Sequence, residues 1–341
     1  MNPRLHNIRE QLKTQKTSDG RLFFHPILMM HAATLYGCTY TEFMTDYHKL
    51  VDSNIHLLEI YDHDAVSVIS DPYREAAAFG AKIIFDGDQS PRAERLIHTM
   101  EDVERLQNPN VYAHERTLDR IKAVELFRQK LGADFPVIGW VEGPLAEAAD
   151  LSDVSDTLMD LMIAPEKVKR LMQKTLHTAK DFALAQIKAG ANIIGIGDAV
   201  CSQIAQEMYD EFCLPLHKEL FDFIHSHGAL VKLHICGNIS HLLPSLAQTD
   251  LDILDIDWMV DPAAAYKAMG SSVMICGNVD PVSILLDGSR ESILAQYNKV
   301  KEALPPENWI FMAGCEIPRH TPQENMQYAR EISLHDGWKP S

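Results

Sequence analysis

Two rhythms of apolar residues run along the chain: short contiguous runs, and stretches in which apolar residues fall three or four apart. The first is the pattern of a buried strand and the second that of an amphipathic helix. Leu5 to Lys16 reads as a short amphipathic helix, followed by a polar turn at Ser18-Asp19-Gly20. Phe23 to Ala33, FFHPILMMHAA, is the first strand candidate. Thr39 with Glu42 forms a capping box for a helix through Leu58, with Phe43, Tyr47, Leu50 and Val51 at helical spacing. Ala65 to Ser70 is a second strand, ending at Asp71-Pro72. Arg74 to Phe79 is helical, Ala81 to Phe85 is another apolar run, and a polar loop follows from Gly87 to Arg92. Glu101 to Gly132 is mostly helical.

From there on the alternation is regular. Asp134 to Trp140 gives a strand that runs into Glu142-Gly143-Pro144. Pro165 opens the clearest helix, with Val168, Leu171, Met172, Leu176, Ala179, Ala183 and Ile187 on one face and Gly190 closing it. Strands follow at Asn192 to Ile196 (ending Gly197-Asp198), at Leu230 onward, at Asp252 to Ile256 (ending at Asp257), at Val273 to Ile275 and at Trp309 to Ala313. Helices are expected over Ala205 to His227 and Ser289 to Leu304, and Thr321-Pro322-Gln323-Glu324 opens a last one as a further capping box. Strands alternating with helices predict a parallel sheet. About eight such units without a Gly-rich dinucleotide fingerprint favour an α/β fold with a single (β/α)8 TIM barrel, an N-terminal helical extension and one domain over residues 1–341.

The chemistry gathers at strand ends. In LVKLHICGNIS, residues Leu230 to Ser240, His234 and Cys236 lie two apart and so project from the same face. An imidazole nitrogen beside a thiolate suits a borderline-soft ion such as zinc. The last strand ends in Gly314-Cys315, which supplies a third donor. Taken singly, each of the three is an ordinary core or surface residue; their shared position at strand C-termini points to a metal, because a barrel brings all those ends to one mouth. Glu142, Asp198, Asp257, Asn278 and Asp280 also follow strands. Asp198 and Glu142 are candidate catalytic groups, and Asp257, Asn278 and Asp280 candidate substrate-binding groups, although such residues serve equally well as helix caps. Lys232 shares the facing of His234 and, if buried, needs a carboxylate partner. Cys276, near a strand end, is a spare ligand; Cys38, Cys201 and Cys213 read as structural.

Composition narrows the partners. The chain is 46% hydrophobic and 23% charged, and 48 acidic against 31 basic residues give a formal net charge of -17. That balance argues against nucleic acid or an anionic membrane surface. No apolar run reaches the ~20 residues that span a bilayer, and the start lacks the apolar core of a signal peptide. A cytoplasmic protein is expected, with its six scattered cysteines as thiols free to bind metal.

Taken together, LHICGN, GNVDP and GCEIP identify a family. The chain resembles the uroporphyrinogen decarboxylase superfamily and, within it, the zinc-dependent methylcobamide:coenzyme M methyltransferase branch. The resemblance runs through Gly143-Pro144, the strand ending at Asp198, Leu233 to Asn238, Asp257, Gly277 to Pro281, Gly314 to Pro318 and Thr321 to Asn325. It implies a zinc held by His234, Cys236 and Cys315 with one open position, and methyl transfer from a methylcobamide to a small thiol such as coenzyme M. Asp46, His48 and Val51 depart from the D-x-H-x-x-G corrinoid signature, so a separate corrinoid protein is the implied partner. Arg319, beside the GCEIP turn, is a candidate anchor for an anionic thiol. The alternative is a cofactor-free decarboxylase of uroporphyrinogen type, but the stretch Pro26 to Gly37 lacks the Arg residues that grip the propionates in that branch. Two other readings are a zinc-containing carrier without turnover, and the same zinc chemistry with another thiol or a folate as acceptor.

Overall fold

The computed structural model describes residues 22–335. The expected helix at Leu5 to Lys16 lies outside them. Eight parallel strands form the barrel: β1 (Phe23–Phe24), β2 (Val66–Ser67), β3 (Val137–Glu142), β4 (Ile193–Gly197), β5 (Leu230–Ile235), β6 (Ile253–Ile256), β7 (Met274–Cys276) and β8 (Trp309–Phe311). Each strand from β2 to β8 pairs with the next barrel strand, and β8 pairs with β1. At the remaining seam, the Asp64 amide donates to the Phe24 carbonyl at 2.8 Å and the Asp64 carboxylate accepts from the Phe24 amide at 2.8 Å. Arg330, on the last helix Gln323–His335, reaches both Asp62 (2.8 Å) and Asp64 (3.1 Å) and ties that seam to the end of the chain.

The register places successive strand ends side by side: Glu142 faces Gly197, Gly197 faces His234, and His234 faces Asp255. Small residues allow the layers to close. A Cβ on Gly195 would fall 2.2 Å from the Trp140 ring, so the missing methyl makes room for that indole between β3 and β4. Gln186, on the long helix Pro165–Ala189, is fully buried and answers the backbone of Trp140 twice, accepting from its amide at 2.8 Å and donating to its carbonyl at 2.9 Å. Among the described residues, no helix is long and apolar enough to cross a membrane.

Several expected elements are redrawn. The apolar run Phe23 to Ala33 supplies only the two-residue β1, and helix Met30–Tyr36 begins inside it. Pro26, without an amide hydrogen, cannot extend the ladder, and contiguous apolar residues do not distinguish strand from buried helix. The Thr39–Glu42 capping box is present, but it opens the short helix Tyr40–Thr45. Asp46, in extended conformation, ends that helix and caps a second one, Tyr47–Tyr61. The helical stretch Glu101 to Gly132 is divided into Met100–Arg105 and Glu115–Leu131 by a segment containing Pro109. Ile83–Ile84 pairs antiparallel with Arg92–Ala93 as a small ribbon outside the barrel. The second capping box is absent, because the Thr321 hydroxyl is buried without a hydrogen-bond partner.

Candidate metal centre and the cleft beside it

His234 is the penultimate residue of β5, Cys236 follows the strand, and Gly237 turns the chain with φ +88°. The Gly237 amide donates to Asp257 at 2.9 Å, which fixes the loop carrying Cys236. Cys315 reaches the same corner because Gly314 permits a close approach: a Cβ there would lie 2.2 Å from the Trp258 nitrogen. The Gly314 amide also donates to the Val279 carbonyl at 2.8 Å, holding the end of β8 to the loop after β7.

Three donor atoms converge. His234 Nε2 lies 3.0 Å from Cys236 Sγ and 3.9 Å from Cys315 Sγ, and the two sulfurs are 3.7 Å apart. Tetrahedral zinc with ordinary bond lengths sets its sulfur ligands about 3.8 Å apart and a nitrogen about 3.6 Å from each. The trio therefore fits such an ion through both its chemistry and its spacing. On the far side of the ring, Nδ1 lies 3.3 Å from the Asp255 carbonyl oxygen and 3.5 Å from its carboxylate. In the neutral ring that a metal ligand requires, a proton on Nδ1 would be held there and the Nε2 lone pair would face the sulfurs. Asp255 in turn forms an ion pair with Lys232 at 2.7 Å, so this buried lysine has the carboxylate it requires.

Burial works against charge on His234, yet Cys236 beside it and Asp255 behind it hold its pKa well above the ordinary imidazole value. The two cysteines diverge. A hydrogen bond from Cys236, with help from His234, draws Cys315 down to about 5, while the same bond and burial push Cys236 up. The pair gives up one proton readily and holds the second.

Beside the trio lies a cleft of about 260 Å3. Its walls are mainly apolar, with Ile27, Met29, Ile69, Pro72 and Trp140, and three carboxylates also line it: Asp71, Glu142 and Glu316. Burial raises Glu316 to about 7, against the Met30 amide that donates to it at 2.9 Å and with the Cys315 charge adding to the rise. Asp71 accepts from Arg116 at 2.6 Å and from the Ser70 hydroxyl at 2.8 Å; despite burial, Arg116 and Arg74 hold it below its ordinary value. Arg74 also reaches Glu142 at 3.1 Å, and Glu75 accepts from the Glu142 amide at 2.9 Å. Burial, then repulsion from Glu75, Asp150 and Asp198, pushes Glu142 well up in spite of Arg74. Behind it, Glu147 is buried with neither carboxylate oxygen hydrogen-bonded.

Of the residues expected at the mouth, the structure brings His234, Cys236, Cys315 and Glu142 to the cleft. Asp198 does not line it. It accepts from the Ala146 amide at 2.8 Å, from the Leu145 amide at 3.4 Å and lies 2.9 Å from His217, so it caps the helix Pro144–Ser152. Asp257 holds the Gly237 and Met259 amides. Asn278 donates to the Asp257 and Val260 carbonyls, and Asp280 caps the turn after it through Val282 and Ser283. These three shape the loops around the cleft and are not among the residues lining it. Cys276 points at Met312 Sδ, 3.0 Å away, and Arg319 donates to the Asp88 carbonyl. The sequence reading missed Asp71, Trp140, Glu316 and Asp255. Asp71 and Glu316 follow strand ends as Asp257 does, which was the available signal; Asp255 sits within its strand, and only the β5–β6 register reveals it.

The comparisons with known proteins agree with this architecture. The family model described as uroporphyrinogen decarboxylase (URO-D) matches residues 25–333. A methylcobamide:CoM methyltransferase, MtbA, of Methanosarcina mazei is 30% identical over 272 residues, 77% of each chain. A uroporphyrinogen decarboxylase of Carboxydothermus hydrogenoformans is 25% identical over 329 residues, 91% of each. Among solved structures, a methyltransferase from Methanosarcina mazei superposes with a TM-score of 0.84 at 20% identity, covering 95% of this chain and 97% of the other, which speaks for a common fold. With a (β/α)8 barrel and a family-model match over nearly the full described length, the chain belongs to the uroporphyrinogen decarboxylase family.

Proposed function

We propose that the protein moves a methyl group from a methylated corrinoid, carried on a partner protein, to the sulfur of a small thiol at a zinc centre held by His234, Cys236 and Cys315. The observation that carries this reading is the convergence of one imidazole nitrogen and two sulfurs within 3.0 to 3.9 Å of one another. Three protein donors leave a tetrahedral ion one position, which is the habit of catalytic rather than structural sites. Zinc bound there would supply the positive charge that keeps an entering thiol ionised at neutral pH. The chain's residues do the rest. Asp255 fixes the His234 ring, and Asp257 holds the loop that presents Cys236. Glu142, which lines the same cleft, is the residue assigned to handle the thiol's proton. Ile27, Met29, Ile69 and Trp140 keep water from the reacting sulfur. Coenzyme M, which the relatives' names carry, is the first acceptor to assay.

The metal-free decarboxylase is the second reading, favoured by the 91% span shared with a named decarboxylase. Two features weigh against it: the segment Pro26 to Gly37 brings Ile27 and Met29 to the cleft and no arginine, and Arg74 and Arg116 are already paired with carboxylates.

Elemental analysis separates the readings. Wild-type protein supplied with zinc and then freed of excess should retain about one ion per chain, and Cys236→Ser and Cys315→Ser close to none, with circular dichroism unchanged because the ligands sit outside the packed core. Equal metal in wild type and both variants would remove the ligand assignment. Loss of methyl transfer from free methylcobalamin in the same variants completes the test.

A further inference from the structure

The cations around the cleft are already engaged. Arg74 and Arg116, both buried, face Asp71, Glu75 and Glu142. Lys232 is closed against Asp255 at 2.7 Å. Arg319 turns to the Asp88 loop, and His31 lies 2.8 Å from the Tyr61 hydroxyl and 3.2 Å from the Arg319 carbonyl. Among the described residues that line the cleft there is no lysine and no arginine. Three carboxylates line it instead, and Glu75 stands directly behind. Asp71, Glu75 and Glu142 thus share two guanidinium groups, and Glu316 is a fourth carboxyl group on the cleft wall, before Glu147 and Asp150 are considered.

This surplus decides which thiol fits. An anionic head group would be stripped of water against carboxylates with no unengaged cation to receive it, a cost that burial magnifies. An ammonium would be met by the carboxyl oxygens of Glu142 and Glu316. We infer that the acceptor is a small aminothiol, whose ammonium is received by Glu142 and Glu316 while its sulfur reaches the corner formed by His234, Cys236 and Cys315. The inference rests on the thiol-acceptor reading above and narrows it: the sulfonated thiol in the relatives' names is not the preferred acceptor here.

Calorimetric titration of the zinc-loaded protein with three thiols of one length tests it: cysteamine, 2-mercaptoethanol and 2-mercaptoethanesulfonate. Cysteamine should bind at least about tenfold more tightly than the sulfonate, the scale of one charge-assisted contact. In Glu316→Gln that ratio should fall about threefold or more while 2-mercaptoethanol binds as before, and in Glu142→Gln, which also alters how the thiol's proton is handled, the cysteamine-to-sulfonate ratio alone is read and should fall likewise. Because the ratio is compared between proteins, the intrinsic acidity of each thiol cancels. Sulfonate binding as tight as cysteamine in wild type would overturn the charge preference and leave the thiol-acceptor reading standing. An unchanged ratio in both variants would equally overturn the assignment to these carboxylates. Failure of all three thiols to bind protein that retains its zinc would overturn the inference together with the reading on which it rests.

Discussion

On one side of the cleft, His234 and Cys236 stand two residues apart at the end of β5, and Cys315 joins them from β8 through a single close approach at Gly314. On the other side, Asp71, Arg74, Glu75, Arg116 and Glu142 arrive from the end of β2, from the helices Arg74–Phe79 and Glu115–Leu131, and from β3. The first wall is assembled by strand periodicity, with few parts and one supporting ion pair. The second is a buried web of opposite charges that opens onto the cleft at Asp71 and Glu142, and in which each group depends on several others. The first should therefore lose its ion without losing the fold, whereas the second should lose the fold first.

Arg74→Ala would break this contrast if it were harmless. Removing a guanidinium buried among Asp71, Glu75 and Glu142 leaves carboxylates uncompensated, and a loss of about 3–5 kcal/mol of stability is expected in denaturant titration. A smaller effect is expected on the metal wall. Asp255→Asn keeps the backbone carbonyl that holds His234 but removes the charge behind it and leaves buried Lys232 unpaired, so zinc affinity, expected to weaken by about 10–100-fold in a chelator competition, is measured on protein still folded by circular dichroism. The smallest effect is the sharpest probe of the charge web. Burial, with Glu75, Asp150 and Glu142 nearby, raises Glu147 well above its ordinary 4.5. From that ordinary value upward, the folded state keeps a proton that the unfolded state has released, so stability falls as pH rises through the window to the raised value. Glu147→Gln should remove that share of the fall: a melting temperature about 2 °C higher than wild type at pH 8, and no difference near pH 4, by calorimetry.

The same contrast explains what could be read from sequence. His234-x-Cys236 and Gly314-Cys315 announce themselves because period-two alternation and a glycine are local signals. The barrel follows from the alternation of apolar rhythms, and Glu142 from its place after a strand. Asp198, Asp257, Asn278 and Asp280 share that placement, yet they spend their polar atoms on backbone amides and carbonyls: a residue's position at a strand end does not say which way its side chain turns. The charge web had no local signature, since Arg74 and Glu142 are 68 residues apart and meet only through packing. The break at Asp46 was hidden for a related reason. Apolar spacing continues across it, while the extended, capping Asp46 ends one helix and starts the next.

The separation of 79 residues between Cys236 and Cys315 has a meaning for how the protein is made. While the chain is being synthesised, the His-x-Cys pair emerges long before its third partner, and Arg330, which ties the barrel's seam, emerges later still. A nascent chain therefore offers an ion two donors on an open sheet, a weak grip. On the proposed zinc reading the full grip arrives only once Cys315 has emerged, and a chain truncated before residue 315 would hold the ion by two donors alone.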